Sequence, residues 1–348
     1  MKNTKIKVKF DKLTQIFHIS DIHIRNLKRH NEYEAVFSRL YSKISSLNDG
    51  SSIIYVGGDI VHAKTQMSPE LIHLTSDFFK RLADISPTLV LMGNHDCNLN
   101  NRSRMDALSP IIENLNHKNL HYMRDSGTFD VADTTFTTWS VLDSSDDYIS
   151  ASDVVGKTKI LLFHGTIDHS KTDMGFELPS DVKLSMMDGY DMVLLGDNHK
   201  AQTLQRYSTK SKIKKPIVRF CGDLIQQNHG ESLKGHGMSV WDVEDRSYKH
   251  VEIPNDYGYY TMDIEDGVVP DVDDVPDKAR MRIRVSNTTE SDLKKALAII
   301  HKRHGIKDVV VNRNGKLIDR VRGSSLEIGD VSDPNYQYEL IDDYLKRN

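Results

Sequence analysis

Aspartate, asparagine and histidine recur in this sequence at one kind of place, just past the end of an apolar run. TQIFHIS (14–20) is followed by Asp21 and His23, SIIYVGG (52–58) by Asp59, and TLVLMG (88–93) by Asn94, His95 and Asp96. KILLFHG (159–165) carries His164 at its end, and DMVLLG (191–196) gives way to Asp197, Asn198 and His199. In an extended chain residues i and i+2 point the same way, so Asp21 and His23 can reach one ion. The glycines before Asp59 permit close backbone approach, and its carboxylate can bridge two cations. Any one of these stretches alone reads as a polar turn after a strand. Five in succession, each supplying oxygen or imidazole donors, point to a dinuclear metal centre. Two cations about 3.5–4 Å apart neutralise a phosphate and bring the pKa of bound water toward neutrality. A neighbouring histidine then supplies a proton or hydrogen bond where charge develops.

The apolar runs must be strands, and helical patterns lie between them. NEYEAVFSRLYSKISSL (31–47) and SPELIHLTSDFFKRLADI (68–85) have apolar residues at helical spacing, the second with Ser68 as N-cap and Pro69 in the first helical position. Such alternation indicates an α/β domain, whose sites form where strand ends gather on one rim. MKNTKIKVKF alternates lysine with apolar residues as a strand with one wet face, and 129–142 and 217–253 read as further strands. Residues 263–277 carry seven carboxylates, no basic residue and two prolines, which predicts a linker or exposed loop. RMRIRVSN (280–287), SDLKKALAIIHKRHG (291–305, closed by Gly305) and KDVVVNRN (307–314) then form a strand–helix–strand unit. The predicted divisions are 1–256, a small domain over 257–320, and a tail over 321–348 ending in an amphipathic helix, NYQYELIDDYLKRN.

No apolar stretch approaches the ~20 residues of a membrane span, and the N-terminus lacks the features of a signal peptide. Cys97 and Cys221 offer no disulfide framework, which suits a reducing, cytoplasmic setting. The net charge of −4 conceals local basic regions. Lys200, Arg206, Lys210, Lys212, Lys214, Lys215 and Arg219 fall in one stretch without an acidic residue, and Arg280, Arg282 and Arg284 share one face of a strand. Both are candidate phosphate-tracking surfaces, suited to backbone and shape recognition of DNA.

DIH, GGD, GNHD, HG and GDNH, in that order, resemble the calcineurin-like metallophosphoesterases over roughly residues 14–255. RFCGDLIQQNHGES (219–232) and HGTIDHSKTDMGFEL (164–178) look like segments of nuclease subunits of double-strand-break repair complexes, SbcD-like and of the phage recombination endonuclease type. The resemblance implies a four-layer α/β/β/α core with a small α+β DNA-capping domain and a C-terminal partner-binding helix. It implies one metal held by Asp21, His23, Asp59 and His199, and another by Asp59, Asn94, His164 and Asp197. Mn²⁺ is the implied ion, with Mg²⁺ the alternative. His95 would be the catalytic histidine, His62 would help position substrate, and Asp96 would orient His95. Where most of the superfamily has Gly-His-x-His, this chain has Gly196-Asp197-Asn198-His199. A third ligand carboxylate leaves two dications with a net charge of about +1 and hardens the site toward Mn²⁺ or Mg²⁺. The implied function is a DNA exo/endonuclease within a two-plus-two complex with an SbcC-like ABC-type coiled-coil ATPase. A phosphomonoesterase on the same core is an alternative; so is a non-catalytic DNA-binding scaffold subunit, although every ligand position holds a competent residue.

Overall fold

The computed structural model describes residues 4–210, 212–306, 309–313 and 316–321. The chain divides into two units, Met1–Asn255 and Asp256–Asn348. The first unit begins with β1 (Thr4–Ile6), β2 (Gln15–Ile19), α1 (His30–Leu47), β3 (Ser52–Val56), α2 (Pro69–Ile85), β4 (Thr88–Leu91), α3 (Ser109–Leu115) and β5 (Leu120–Met123). It continues with β6 (Gly127–Val131), β7 (Thr134–Trp139), β8 (Thr158–His164) and β9 (Met192–Gly196). β10 (Gln202–Gln205), β11 (Ile217–Phe220), β12 (Gly237–Asp242) and β13 (Ser247–Glu252) complete it.

These strands form two sheets, in the orders β13-β12-β2-β3-β4-β5 and β1-β6-β7-β8-β9-β11-β10. Neighbours from β2 to β5 are parallel, as are β7, β8, β9 and β11. Strands covered on both faces need apolar residues at every position, which is why the runs read as unbroken rather than alternating. Ile16, Ile53 and Leu89 of one sheet pack against Phe136, Ile160 and Leu194 of the other. The remaining face of the six-stranded sheet presents Phe17, Ile54 and Val90 to Phe37, Leu40, Phe78 and Leu82 of α1 and α2. Helix α2 begins as expected, with Ser68 Oγ accepting the Leu71 N–H at 3.3 Å. The layer outside the seven-stranded sheet is built differently. Leu161, Phe163 and Val193 are covered by Trp139 at the end of β7 and by Val154, Met187 and Tyr190, carried on irregular chain with two one-turn 3₁₀ segments.

The second unit contains β14 (Tyr257–Glu265), β15 (Lys278–Ser286), α4 (Glu290–His304), β16 (Val309–Arg313) and β17 (Lys316–Val321), with the strands in that spatial order. Met281 and Ile283 of β15 pack on Leu293, Ala296 and Ile300 of α4, and Gly305 ends the helix in the left-handed conformation at φ 65°. The expected acidic linker is shorter than the sequence suggests. Asp263 and Glu265 belong to β14, where Met262 and Ile264 alternate with them and are buried. Beyond the strand, Val269, Val272 and Val275 pack on the core. The expected terminal helix and the tail beyond residue 321 lie outside the described residues. Among the described residues no helix is long and apolar enough to cross a membrane.

Candidate metal centre

The chain leaves β2, β3 and β9 through tight left-handed turns. Asp21 (φ 54°), His23 (φ 49°), Asp59 (φ 53°) and Asp197 (φ 97°) all occupy a region that non-glycine residues avoid. Such conformations cost on the order of 1–3 kcal/mol each, and they cluster where function over-determines the backbone. Two glycines let the loops close on one another. A Cβ on Gly93 would strike the Asp59 backbone nitrogen and Oδ1, and one on Gly196 would strike the Gly57 carbonyl and Ser20 Oγ.

The seven expected ligands converge in two sets joined by Asp59. Asp59 Oδ2 lies 3.6 Å from His23 Nε2, and Oδ1 lies 3.3 Å from His164 Nε2. On the first side, His23 Nε2 faces His199 Nε2 at 3.0 Å, and a carboxylate oxygen of Asp21 lies within 4.8 Å of both rings' nitrogens. On the second, Asn94 Oδ1 is 3.0 Å from His164 Nε2, and Asp197 Oδ1 is 3.9 Å from the same nitrogen. Asp197 sits furthest out: Thr166 Oγ1 donates to its Oδ2 at 2.7 Å, and its own N–H donates to Asp21 Oδ1 at 3.1 Å.

This donor set fits cations. With its oxygen inward, Asn94 meets only acceptors; hydrogen bonding alone would turn the amide so that its nitrogen donates to Asp59 and His164. Oxygen and imidazole lone pairs directed at one another are what a cation holds together. His164 Nδ1 is committed to the Gly57 carbonyl at 2.6 Å, which makes Nε2 the atom available to the site. The field agrees. Burial pushes the Asp21 carboxyl up to about 7, with the charge of Asp59 adding to it. For Asp59 burial also favours the neutral form, but His164 and His23 outweigh it and hold the group below the usual carboxylate range. For His164, burial opposes charge, yet Asp59, Asp21 and Asp197 push it well above its ordinary value. A concentration of negative potential that draws protons so strongly draws divalent ions by the same force.

His95 is beside this set, where its ring nitrogen groups with those of His23 and His62. Its backbone N–H donates to Asp59 Oδ1 at 2.8 Å, and its ring lies edge-on to that of His23 with centroids 4.7 Å apart. Its Nδ1 pairs with the His62 carbonyl at 2.7 Å, which leaves Nε2 as the ring's remaining polar atom. The His62 ring stacks on His95 at 5.7 Å, and burial together with Arg25 lowers its pKa to about 4, so it is neutral at neutral pH. Asp96 corrects an expectation. Its buried carboxylate accepts the N–H groups of Ile60 and Val61 at 3.0 Å and of Gly93 at 2.9 Å, tying the β3 and β4 loops together. The His62 carbonyl, not Asp96, orients the His95 ring.

The basic stretch is also placed differently from expectation. Lys200 borders the centre, directly after His199. The chain then runs away along β10, and β11 returns parallel to β9 with Ile217 opposite Met192. Residues 206–210 and 212–215 therefore lie at the rim opposite Asp197, about 15 Å away at ~3.3 Å per strand residue. Lys214 pairs with Asp191 at 2.9 Å and Lys215 with Asp188 at 2.5 Å, so both are structural ion pairs; Arg206, Lys210 and Lys212 are exposed. In the second unit, Arg280, Arg282 and Arg284 do share the sheet face opposite α4. There Arg284 is bound bidentately by Asp263 at 2.5 and 2.6 Å, and Arg280 lies over the rings of Tyr257 and Tyr259. Residues that the motifs did not reveal are Thr166, which holds Asp197, and Glu231, whose Oε1 is 2.7 Å from His199 Nδ1.

Residues 14–201 match the sequence profile of the calcineurin-like phosphoesterases, which covers β2 to β9 and all seven converging residues. The chain belongs to this family. Calcineurin-like phosphoesterases hydrolyse phosphoesters with divalent metal ions, and the two sets around Asp59 are the candidate sites for them here. An uncharacterised protein of Acanthamoeba polyphaga mimivirus is 39% identical over 329 residues, an alignment covering 90% of this chain and 24% of that protein. The chain thus spans about a quarter of the length of the curated relative it matches. Among solved structures, a 5′-nucleotidase precursor from Thermus thermophilus is similar with a TM-score of 0.37 and 10% identity, covering 70% of this chain and 54% of that one.

Proposed function

We propose that this calcineurin-like phosphoesterase is a Mn²⁺-dependent phosphodiesterase acting on DNA, a nuclease component of a recombination or repair assembly. The observation that carries the reading is the third ligand carboxylate, Asp197, in a centre already containing Asp21 and Asp59. Two dications against three carboxylates leave about one positive charge, which matches a phosphodiester monoanion better than a doubly charged monoester. Bound ions would supply a nucleophile derived from water and neutralise the phosphate. Asp21, His23, Asp59 and His199 would hold one ion, and Asp59, Asn94, His164 and Asp197 the other. His95, with Nδ1 fixed on the His62 carbonyl, would direct Nε2 at the phosphate or its leaving oxygen and give up a proton there. Lys200 would meet the adjacent backbone phosphate. In the second unit, Arg280 and Arg282 on the face opposite α4 would track the duplex, with Arg284 held by Asp263. The partner proposed on the similarity of 219–232 and 164–178 to repair nucleases is an SbcC-like coiled-coil ATPase.

The test compares purified protein with Mn²⁺ on end-labelled duplex, single-stranded and hairpin DNA, on bis(p-nitrophenyl) phosphate and on p-nitrophenyl phosphate. Cleavage of DNA and diester with little monoester turnover is expected. Monoester turnover without DNA cleavage would replace this reading with a phosphatase.

A further inference from the structure

The segment RFCGDLIQQNHGES (219–232) contributes none of the seven converging ligands, yet it wraps the outer side of His199. We propose that Glu231 is a positioning residue for the first cation, acting through the His199 ring; this rests on the dinuclear reading above. Glu231 Oε1 lies 2.7 Å from His199 Nδ1 and also accepts from Asn228 Nδ2 at 2.7 Å, while Oε2 accepts the Gln227 N–H. The carboxylate is almost fully buried, so its three partners fix it in place.

The loop that delivers it is itself closed. Asp223 donates its N–H to the His199 carbonyl, and its Oδ1 pairs with His236 Nδ1. His236 Nε2 then binds the Ser232 carbonyl at 2.7 Å, next to Glu231. With His199 Nδ1 committed to a carboxylate, Nε2 is the nitrogen turned to the site, and it faces His23 Nε2 at 3.0 Å. A carboxylate partner makes an imidazole a stronger donor than a carbonyl partner does. The second set has the weaker arrangement, because His164 Nδ1 pairs with the Gly57 carbonyl. His199 and His164 thus carry unlike outer partners, and Glu231 supplies the stronger one.

Calorimetric Mn²⁺ titration and Mn²⁺ electron paramagnetic resonance on wild type, Glu231→Ala and Glu231→Gln test this, with metal-free melting temperatures on the same preparations. One of two binding events should weaken by about 10–100-fold in Glu231→Ala, the range for loss of such an outer partner, while the other is unchanged. Glu231→Gln keeps the shape and one acceptor, and should fall between wild type and Ala; it carries the test where the Ala chain fails to fold. Two unchanged events would overturn the proposal. So would equal weakening of both together with a lower metal-free melting temperature, since that marks a loop with only a structural role. A wild-type chain that takes up fewer than two ions would overturn the dinuclear reading itself.

Discussion

Asp96→Asn separates two accounts of a carboxylate that lies beside the proposed catalytic histidine in sequence. If Asp96 oriented His95, the substitution would lower turnover and leave stability alone. The structure predicts the reverse emphasis. Three backbone N–H groups, from Ile60, Val61 and Gly93, end on this one buried side chain. The Asn oxygen can serve two of them. Its NH₂ then confronts the third N–H, leaving a buried donor unsatisfied at a cost of about 1–3 kcal/mol. Burial and Asp59 push the Asp96 carboxyl up to about 7, so its charge disfavours the folded state above that pH, and the loss is clearest below it, where both side chains are neutral. A net loss of about 1–3 kcal/mol is expected there, or roughly 2–10 °C in melting temperature for a domain of this size. Thermal and urea unfolding of metal-free protein, in buffer below that pKa, measure it. A melting temperature within 1 °C of wild type together with lost turnover would refute the reasoning and return Asp96 to His95.

Other expectations follow from the same geometry. His95→Ala should leave Mn²⁺ binding nearly intact and abolish cleavage, because His95 is not among the seven residues proposed to hold the ions; loss of a bound ion in calorimetry would contradict this. Lys200→Glu should weaken DNA binding and reduce its logarithmic salt slope by about 0.9 per lost phosphate contact. Lys214→Glu with Lys215→Glu should instead lower the melting temperature through repulsion from Asp191 and Asp188, with little change in cleavage of a small diester. Mn²⁺ affinity should fall as pH drops from about 10 through about 7, since against burial Glu231 and Asp21 hold the His199 ring up at about 10, burial raises the Asp21 carboxyl to about 7, and a proton on either competes with the ion. Titrations in buffers of different ionisation enthalpy should show net proton release on binding; pH-independent affinity without release would contradict the charge balance described for the site.

The convergence of the seven candidate ligands was legible in the sequence because each lies within a few residues of an unbroken apolar run, and burial of both sheets on both faces makes such runs conspicuous. Positions that depend on distant pairing were not. Glu231 and His199 are 32 residues apart and meet only because Asp223 anchors its loop on the His199 carbonyl. Lys214 and Lys215 look free in a stretch without acids, but the parallel pairing of β9 and β11 brings them to Asp191 and Asp188. Asp263 and Glu265 disguised the end of β14 as linker, since their charges drew attention from the alternating Met262 and Ile264. The outer layer of the seven-stranded sheet has no helical period to find, being irregular chain whose Val154, Met187 and Tyr190 pack with Trp139 of β7.

Asp59 lies between the two candidate cation sites. The most direct test that it bridges them is the electron paramagnetic resonance spectrum and stoichiometry of the Mn²⁺-loaded protein, compared with Asp59→Asn. Two ions per chain with a spin-coupled signal, replaced in the variant by an uncoupled signal or lost occupancy, is the predicted result. A single ion in wild type, or two uncoupled ions unaffected by Asp59→Asn, would contradict it.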